Sequence, residues 1–470
     1  MTRPLLLLFV LQATVALLRA DDGNSVDFSR DILPILSNKC FVCHGPDGEA
    51  SEDLRLDSYD AAIADLGDRK AIDPAALERS ELLLRIHDEE NPMPPTSAAK
   101  QLTHNERNLL GRWVREGGQY QTHWSFIPPQ KASLKVDSRL STANAIDAFV
   151  KKRLQQHDLV LAAEADRGTL ARRVALVLTG LPPQPDLLSA YLADESPAAY
   201  EHLVNHLLAS PHYGEHQARY WLDAIRYGDT HGLHLDNRRG IFPFRDWLIH
   251  AFNKNTPLDQ LIIWQLAGDL LPEPTLEQRV ATGFVRMNPS TAEGGVIPAE
   301  FQAKNNFDRV ETLGTVFLGM TLTCARCHNH KYDPISQQEY YRLLAFFNST
   351  SENPLDGNSY EYGPVIQAPA SVTAWEQWHR FRQAQDRLLA RASDLMTGSD
   401  AEVDPAILEA WSSTSRQDRW HRLADPEGPF ASAELRGQAH DLARQWNEFE
   451  KTYSTTLIAS DLPHSRVTKV

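Results

Sequence analysis

The chain has 470 residues, 42% of them hydrophobic and 23% charged, with a formal net charge of −15 at pH 7. That length accommodates two or three domains with cores of their own, and the acidic balance excludes nucleic acid and anionic membrane as natural partners. Beyond the N-terminus no apolar run is long enough to span a bilayer.

The chain starts "MTRPLLLLFVLQATVALLRADD". Arg3 supplies a short positive region, residues 5–18 an apolar stretch, and Ala20 a small residue before Asp21 and Asp22. This reads as a signal peptide over residues 1–20, with an N-terminal anchor as the alternative. Either way the remainder is expected outside the cytoplasm, in the periplasm or cell envelope. From Asp21 to Tyr120 there are 20 acidic against 11 basic side chains. This is a solvated surface, or a docking face for a basic redox partner protein.

The four cysteines all fall in two pentapeptides, "CFVCH" and "CARCH". In an exported chain four cysteines suit two disulfides, but a bridge within C-x-x-C closes a very small loop and stabilises little. The pattern C-x-x-C-H instead meets the demands of covalent haem: two thiols for two vinyl groups, and a histidine beside the second thiol for the iron. At the first motif Cys40 and Cys43 are therefore expected to carry haem c, with His44 as proximal ligand.

"VDFSRDILPILSNKC" ahead of it reads as an amphipathic helix with Ile32, Ile35 and Leu36 on one face, and "GPDGEA" after it as a turn. Met93, in "EENPMPPTSA", is flanked by prolines that stiffen its loop and is the candidate sixth ligand; His87 is the competitor. "LTHNERNLLGRWVREGGQY" then predicts a helix opened by a Thr103/Glu106 capping box, with Leu109, Leu110 and Trp113 on its apolar face. Residues 24–120 are thus expected to form a cytochrome c-like haem domain.

A proline-bearing linker follows over 121–140. Helical periodicity resumes through 141–350, with a break at "GLPPQP", a helix starting near Asp186, and Pro197 and Pro211 near the starts of two more. Between helices lies the polar segment "GDTHGLHLDNRRGIFPFRDW". The region 370–455 reads as a charged helical hairpin or short coiled coil, a place for a helical partner. The expected fold class is predominantly α: a small cytochrome c-like helical domain, a larger helical domain and a C-terminal helical hairpin.

The second motif, "LTCARCHNHKYDP", admits three readings. One is a second haem on Cys324 and Cys327 with His328 proximal. Another is a zinc site short of strong ligands, and the third a dithiol pair with Cys324 as nucleophile. Met320 and His330 lie too close in sequence to reach the far side of such a haem. The candidate sixth ligands are His231 and His234, which also read as hydrogen-bonded loop histidines. Asp229, Asp236, Arg238 and Arg239 nearby form a charge cluster suited to a substrate, to propionates or to structural ion pairs.

The segments "CFVCH", "RLDSYDAAI", "ELLLRIHDEENPMPP" and "LLGRWVREGG" resemble the planctomycete-type cytochrome c domain. "HWSF", "RRVALVLTGLPP", "LLASPHYGEHQARYWLDAIRYGDTHG", "FRDWLIHAFN", "QLAGDLL" and "LGMTLTCARCHNHKYDPISQQEYY" resemble the domain of unknown function that follows it in exported planctomycete proteins. The resemblance implies a further C-terminal domain, relative to which the chain reads as truncated. It implies haem but no established reaction. Electron transfer by an exported dihaem protein is the expected function, whether or not coupled to oxidation or reduction of a substrate in the second domain. The contrasting classes are a non-redox hydrolase using Asp229 and Asp236, and a scaffold in which only the first motif carries haem.

Overall fold

The computed structural model describes residues 26–45, 54–67, 69–123, 126–131, 145–397 and 404–469. The signal peptide expected at 1–20 lies outside the described residues, as do much of the 121–140 linker and most of the turn after His44. Nineteen α-helices and one two-stranded sheet occur among the described residues, and 56% of the chain is helical. The fold is predominantly α.

The chain divides into two compact units. Unit 1 comprises residues up to Val150 together with Cys324–Tyr340, and unit 2 comprises Lys151–Thr323 and Tyr341–Val470. In unit 1 a short π-helical turn, Phe28–Ile32, leads into α1 (Leu33–Lys39), then α2 (Phe41–His44), α3 (Tyr59–Ala62), α4 (Glu81–His87) and α5 (His104–Arg115). Ile32, Ile35 and Leu36 pack into one core with Leu56, Ile72, Leu83, Leu110 and Trp113. Phe28, Trp113 and Tyr120 close one side of it, with ring centroids 4.5–5.5 Å apart, and the Tyr120 hydroxyl donates to the Leu56 carbonyl. The capping box at α5 is complete: Thr103 Oγ1 accepts the Glu106 N–H, and the Glu106 carboxylate accepts the Thr103 N–H at 2.7 Å. These two bonds satisfy donors that the first helical turn leaves without partners.

Helix α6 is Ala145–Gln155. Unit 2 continues with α7 (Arg167–Thr179), α8 (Pro185–Ala193), α9 (Ala199–Leu208), α10 (Pro211–Ala224), α11 (Phe242–Asn253), α12 (Leu258–Ala267), α13 (Leu276–Ala281), α14 (Pro298–Leu313) and α15 (Gln337–Asn348). Proline occupies the first turn of α8, α10, α11 and α14, where its missing N–H costs nothing. Helices α10 and α11 pack closely at Gly214. A Cβ on Gly214 would stand 2.4 Å from the Ile249 carbonyl, so only glycine fits there, and its N–H donates to Asn253 Oδ1 at 2.7 Å.

The C-terminal region holds β1 (Val365–Ala368), α16 (Val372–Thr397), α17 (Pro405–Ser412), α18 (Arg416–Leu423), α19 (Ala433–Glu450) and β2 (Ser454–Leu457). The strands pair antiparallel, Val365 opposite Leu457. Between the two long helices, α17 and α18 are started by Asp404 and Ser415 side-chain caps. Their Trp411, Trp420 and Leu423 fill a core with Leu389, Met396 and Leu435. This region is therefore a four-helix assembly rather than a bare pair of helices.

Candidate functional site

The first motif is built on a single helical turn. The Cys43 and His44 N–H groups both donate to the Cys40 carbonyl, at 3.1 and 2.8 Å, so residues i, i+3 and i+4 share one side of that turn. All three side chains line a cavity of about 530 Å³. Its walls include the apolar Leu54, Leu56, Leu82 and Ile86, and Met93 and Pro94 also line it. Met93 is positioned from both ends: its N–H donates to the Arg85 carbonyl at 3.0 Å at the end of α4, and Pro94 and Pro95 follow. Sequence reasoning placed Cys40, Cys43, His44 and Met93 at one site, and one cavity contains them all. His87 is exposed; its Nε2 lies 3.6 Å from where a Gly111 Cβ would be, against α5.

The electrostatics suit an uncharged attachment. Burial pushes the Cys40 thiol up to about 12, which suppresses the thiolate needed for metal ligation or nucleophilic attack but does not oppose a neutral thioether. His44 donates its Nδ1–H to the Leu54 carbonyl at 2.8 Å. That bond fixes the ring and leaves Nε2 as the ligating nitrogen. Arg69 and Arg85 line the same cavity; Arg85 is paired with Glu81 at 2.7 Å, whereas Arg69 has no ion pair among the described residues. These residues fit a haem c.

The second motif lies in unit 1. Cys324 and Cys327 are exposed free thiols, the first in a short 3₁₀ turn (Thr323–Arg326) and the second just after it, and His328 donates its Nδ1–H to the Asn329 carbonyl at 2.7 Å, the same use of the ring as at His44. Residues 329–336 and Glu339 face Phe28, Phe41, Tyr59, Tyr120 and His123 across a cavity of about 610 Å³. Among the described residues no group of three or more His, Cys, Asp or Glu is arranged for a metal ion.

In unit 2, His231 is buried, with Nδ1 against Ser290 Oγ at 3.0 Å and Nε2–H donating to the Ser359 carbonyl at 3.0 Å. Both ring nitrogens are thus engaged, which leaves neither for iron in this arrangement. His234 sits exposed at a hairpin tip with φ 56°. Asp236 accepts the Gly232 N–H at 2.8 Å. Hydrogen bonds from Thr230 and Gly232 hold its carboxyl below the usual range, an environment for an anion rather than for an acid catalyst.

Sequence reasoning missed Asp246, whose carboxyl burial pushes up despite its neighbour Arg245. It also missed a buried polar core of Arg286, Arg309, Glu352, Asp356 and Tyr362. No local pattern distinguishes these charges from surface ones.

Residues 40–97 match the family described as Planctomycete cytochrome C, and residues 145–352 match the family described as Protein of unknown function (DUF1549). The two matches follow one another in that order along the chain. The cytochrome match covers Cys40, Cys43, His44 and Met93 of the first cavity, and the DUF1549 match includes Arg286, Arg309 and Glu352 of the polar core and the second C-x-x-C-H motif. No curated protein and no solved structure matches the chain.

Proposed function

We propose that this protein is an exported c-type cytochrome that holds haem covalently in unit 1 and transfers electrons. The observation that carries this reading is the meeting of Cys40, Cys43, His44 and Met93 around one apolar cavity. Cys40 and Cys43 would form the thioethers, His44 Nε2 and Met93 Sδ would be the axial ligands, and Arg69 would face a propionate. Bound there, haem supplies an iron that cycles between ferric and ferrous states. The protein's own part is to exclude water with Leu54, Leu56, Leu82 and Ile86, and to hold the imidazole through Leu54. A thioether ligand raises the reduction potential, which suits a site that accepts electrons. The acidic stretch from Asp21 to Tyr120 favours a basic redox partner.

A second haem on Cys324 and Cys327, with His328 as ligand, extends the reading to a dihaem protein. The parallel use of Nδ1 at His44 and His328 supports it.

The test is haem stoichiometry. The full chain is produced with a cytochrome c maturation system and examined by intact mass and pyridine haemochrome spectrum. Cys40→Ala/Cys43→Ala and Cys324→Ala/Cys327→Ala forms are examined alongside it. Two haem masses in the parent and one in each double variant establish the dihaem protein. One haem, lost only with Cys40 and Cys43, restricts haem binding to the first motif. No covalent haem at all overturns the proposal.

A further inference from the structure

Unit 2 contains a smaller cavity of about 210 Å³, lined by Asp229, Arg238, Arg239, Phe242, Arg245 and Tyr360. Its walls are set by a tight hairpin. Thr230 bridges Arg238, the Arg239 N–H donates to the Asp229 carbonyl at 2.9 Å, and the His231 N–H donates to the Asn237 carbonyl at 3.0 Å. His234 and Asp236 at the tip, and Arg226 before it, hold left-handed φ values of 56°, 51° and 62°. Non-glycine residues adopt that region at a cost, and such strain gathers at binding sites. Tyr360 is fixed over the hairpin's end: Gly240 donates its N–H to the Tyr360 carbonyl at 2.8 Å, and a Cβ on Gly240 would meet the ring at 2.9 Å.

The cavity's charge is unbalanced. Arg239 is only 3% exposed, and main-chain carbonyls hold its guanidinium: Gly228 at 3.1 Å, Asn288 at 2.9 Å, and Arg286 and Met287 at 3.3 Å. No carboxylate pairs with it among the described residues. Beneath it, Arg309 is matched by Glu352. Arg286 donates to the Ile458 and Tyr362 carbonyls, at 3.1 and 2.8 Å, and feels the Glu352 charge as well. Three buried guanidiniums therefore share one polar core with two buried carboxylates, Glu352 and Asp356. A buried cation without a counter-charge is costly, and Arg239 lies where a ligand can provide one. At the rim, Arg245 is committed to Asp246 at 2.9 Å and lies 3.7 Å from Asp229. The Arg238 side chain is exposed and has no ion pair or hydrogen bond among the described residues, so its fork of donors is available.

We infer that this cavity binds the oxyanion of a small polar ligand, a carboxylate, sulfate or phosphate group, with Arg238 donating hydrogen bonds, Arg239 supplying a fixed positive charge, and Phe242 and Tyr360 flanking the ligand. Arginine suits that task because its planar fork matches two oxygens at once. The site is independent of haem. Its occupant is either a free inorganic oxyanion or an organic molecule bearing one, and the same experiment separates them.

The haem-loaded full chain is titrated with sulfate, phosphate, glucuronate and uncharged glucose, at constant ionic strength set with sodium chloride, and the unfolding temperature is followed. Arg238→Gln is the test variant, since an exposed side chain without partners is not needed for folding; Arg239→Gln is avoided because it frees four buried carbonyls. The expected result is saturable stabilisation by at least one oxyanion and none by glucose, with the half-saturating concentration raised tenfold or more in Arg238→Gln. Glucuronate binding at least tenfold tighter than sulfate, and weakened in Tyr360→Ala, assigns the site to an organic anion; equal binding assigns it to the inorganic one. Absence of saturable stabilisation by all three anions, or an unchanged titration in Arg238→Gln, overturns the inference.

Discussion

The imidazole of His44 and the main-chain carbonyl of Leu54 are joined by a 2.8 Å hydrogen bond from Nδ1. They are ten residues apart in sequence, and both line the apolar cavity. The bond determines which ring nitrogen is presented, so the ligand's orientation is set by the backbone before any cofactor arrives.

On the other side of the same cavity the test residue is Met93. In the haem-loaded protein, Met93→Ala should lower the reduction potential of the first haem and leave its covalent attachment intact. Axial ligands move haem potentials over a range of roughly 0.8 V, and loss of the thioether removes the ligand that raises it. A redox titration read by absorbance, with intact mass as the attachment control, checks both halves. An unchanged potential would remove Met93 from the ligand set.

Thr103→Ala should destabilise unit 1 by about 1 kcal/mol, the usual value of an N-cap side chain. The variant keeps Glu106, whose carboxylate also pairs with Lys39 at 2.6 Å, so the loss is confined to the cap. Urea denaturation followed through haem absorbance measures it.

Glu352 and Arg309 form a buried pair, with side chains 2% and 3% exposed. Glu352→Gln leaves the guanidinium without its counter-charge. Breaking such a pair from one side costs about 3–5 kcal/mol, a destabilisation readable as a lowered unfolding midpoint of unit 2.

His250 gives a pH dependence. Its ring is buried and stacked on His379 of α16, centroids 4.7 Å apart, with Lys254 from the end of α11 and Glu277 from α13 nearby. Burial, then the charges of His379 and Lys254, bring its pKa from an ordinary 6.5 down to about 4. Below pH 6.5 the unfolded chain therefore binds a proton that the folded one refuses, so stability falls as pH drops. The loss develops between about pH 6.5 and 4 and reaches about 2–3 kcal/mol. Thermal unfolding across that window should show a shallower pH slope in His250→Leu than in the parent.

Much of this was legible in the sequence wherever the determinants are local. Ile32, Ile35 and Leu36 follow helical spacing and are buried together; Thr103 and Glu106 stand at capping-box spacing and form one. Met93 was found because prolines beside a lone methionine are a local sign of a held loop. What escaped depends on distant partners. Arg286 and Tyr362 read as ordinary surface residues until the fold gathers them into one buried polar core. His231 read equally as a ligand or as a hydrogen-bonded loop histidine, and distant Ser290 and Ser359 engage both its nitrogens. Nothing in the immediate neighbourhood of "CARCH" indicates that Cys324–Tyr340 groups in space with residues before Val150.

That discontinuity bears on how the molecule is made. The first thiols leave the ribosome well before the second pair exists. The wall that Tyr332, Pro334 and Ile335 provide opposite Phe41 and Tyr120 arrives last, after the whole of Lys151–Thr323 has been synthesised. Closing so long an intervening stretch is entropically expensive and slow. During that delay the side of α2 that bears Phe41 stays uncovered by this wall. A protein cut after Val150 would keep the uncovered form permanently, so its haem uptake and its stability would be set by different segments of the chain.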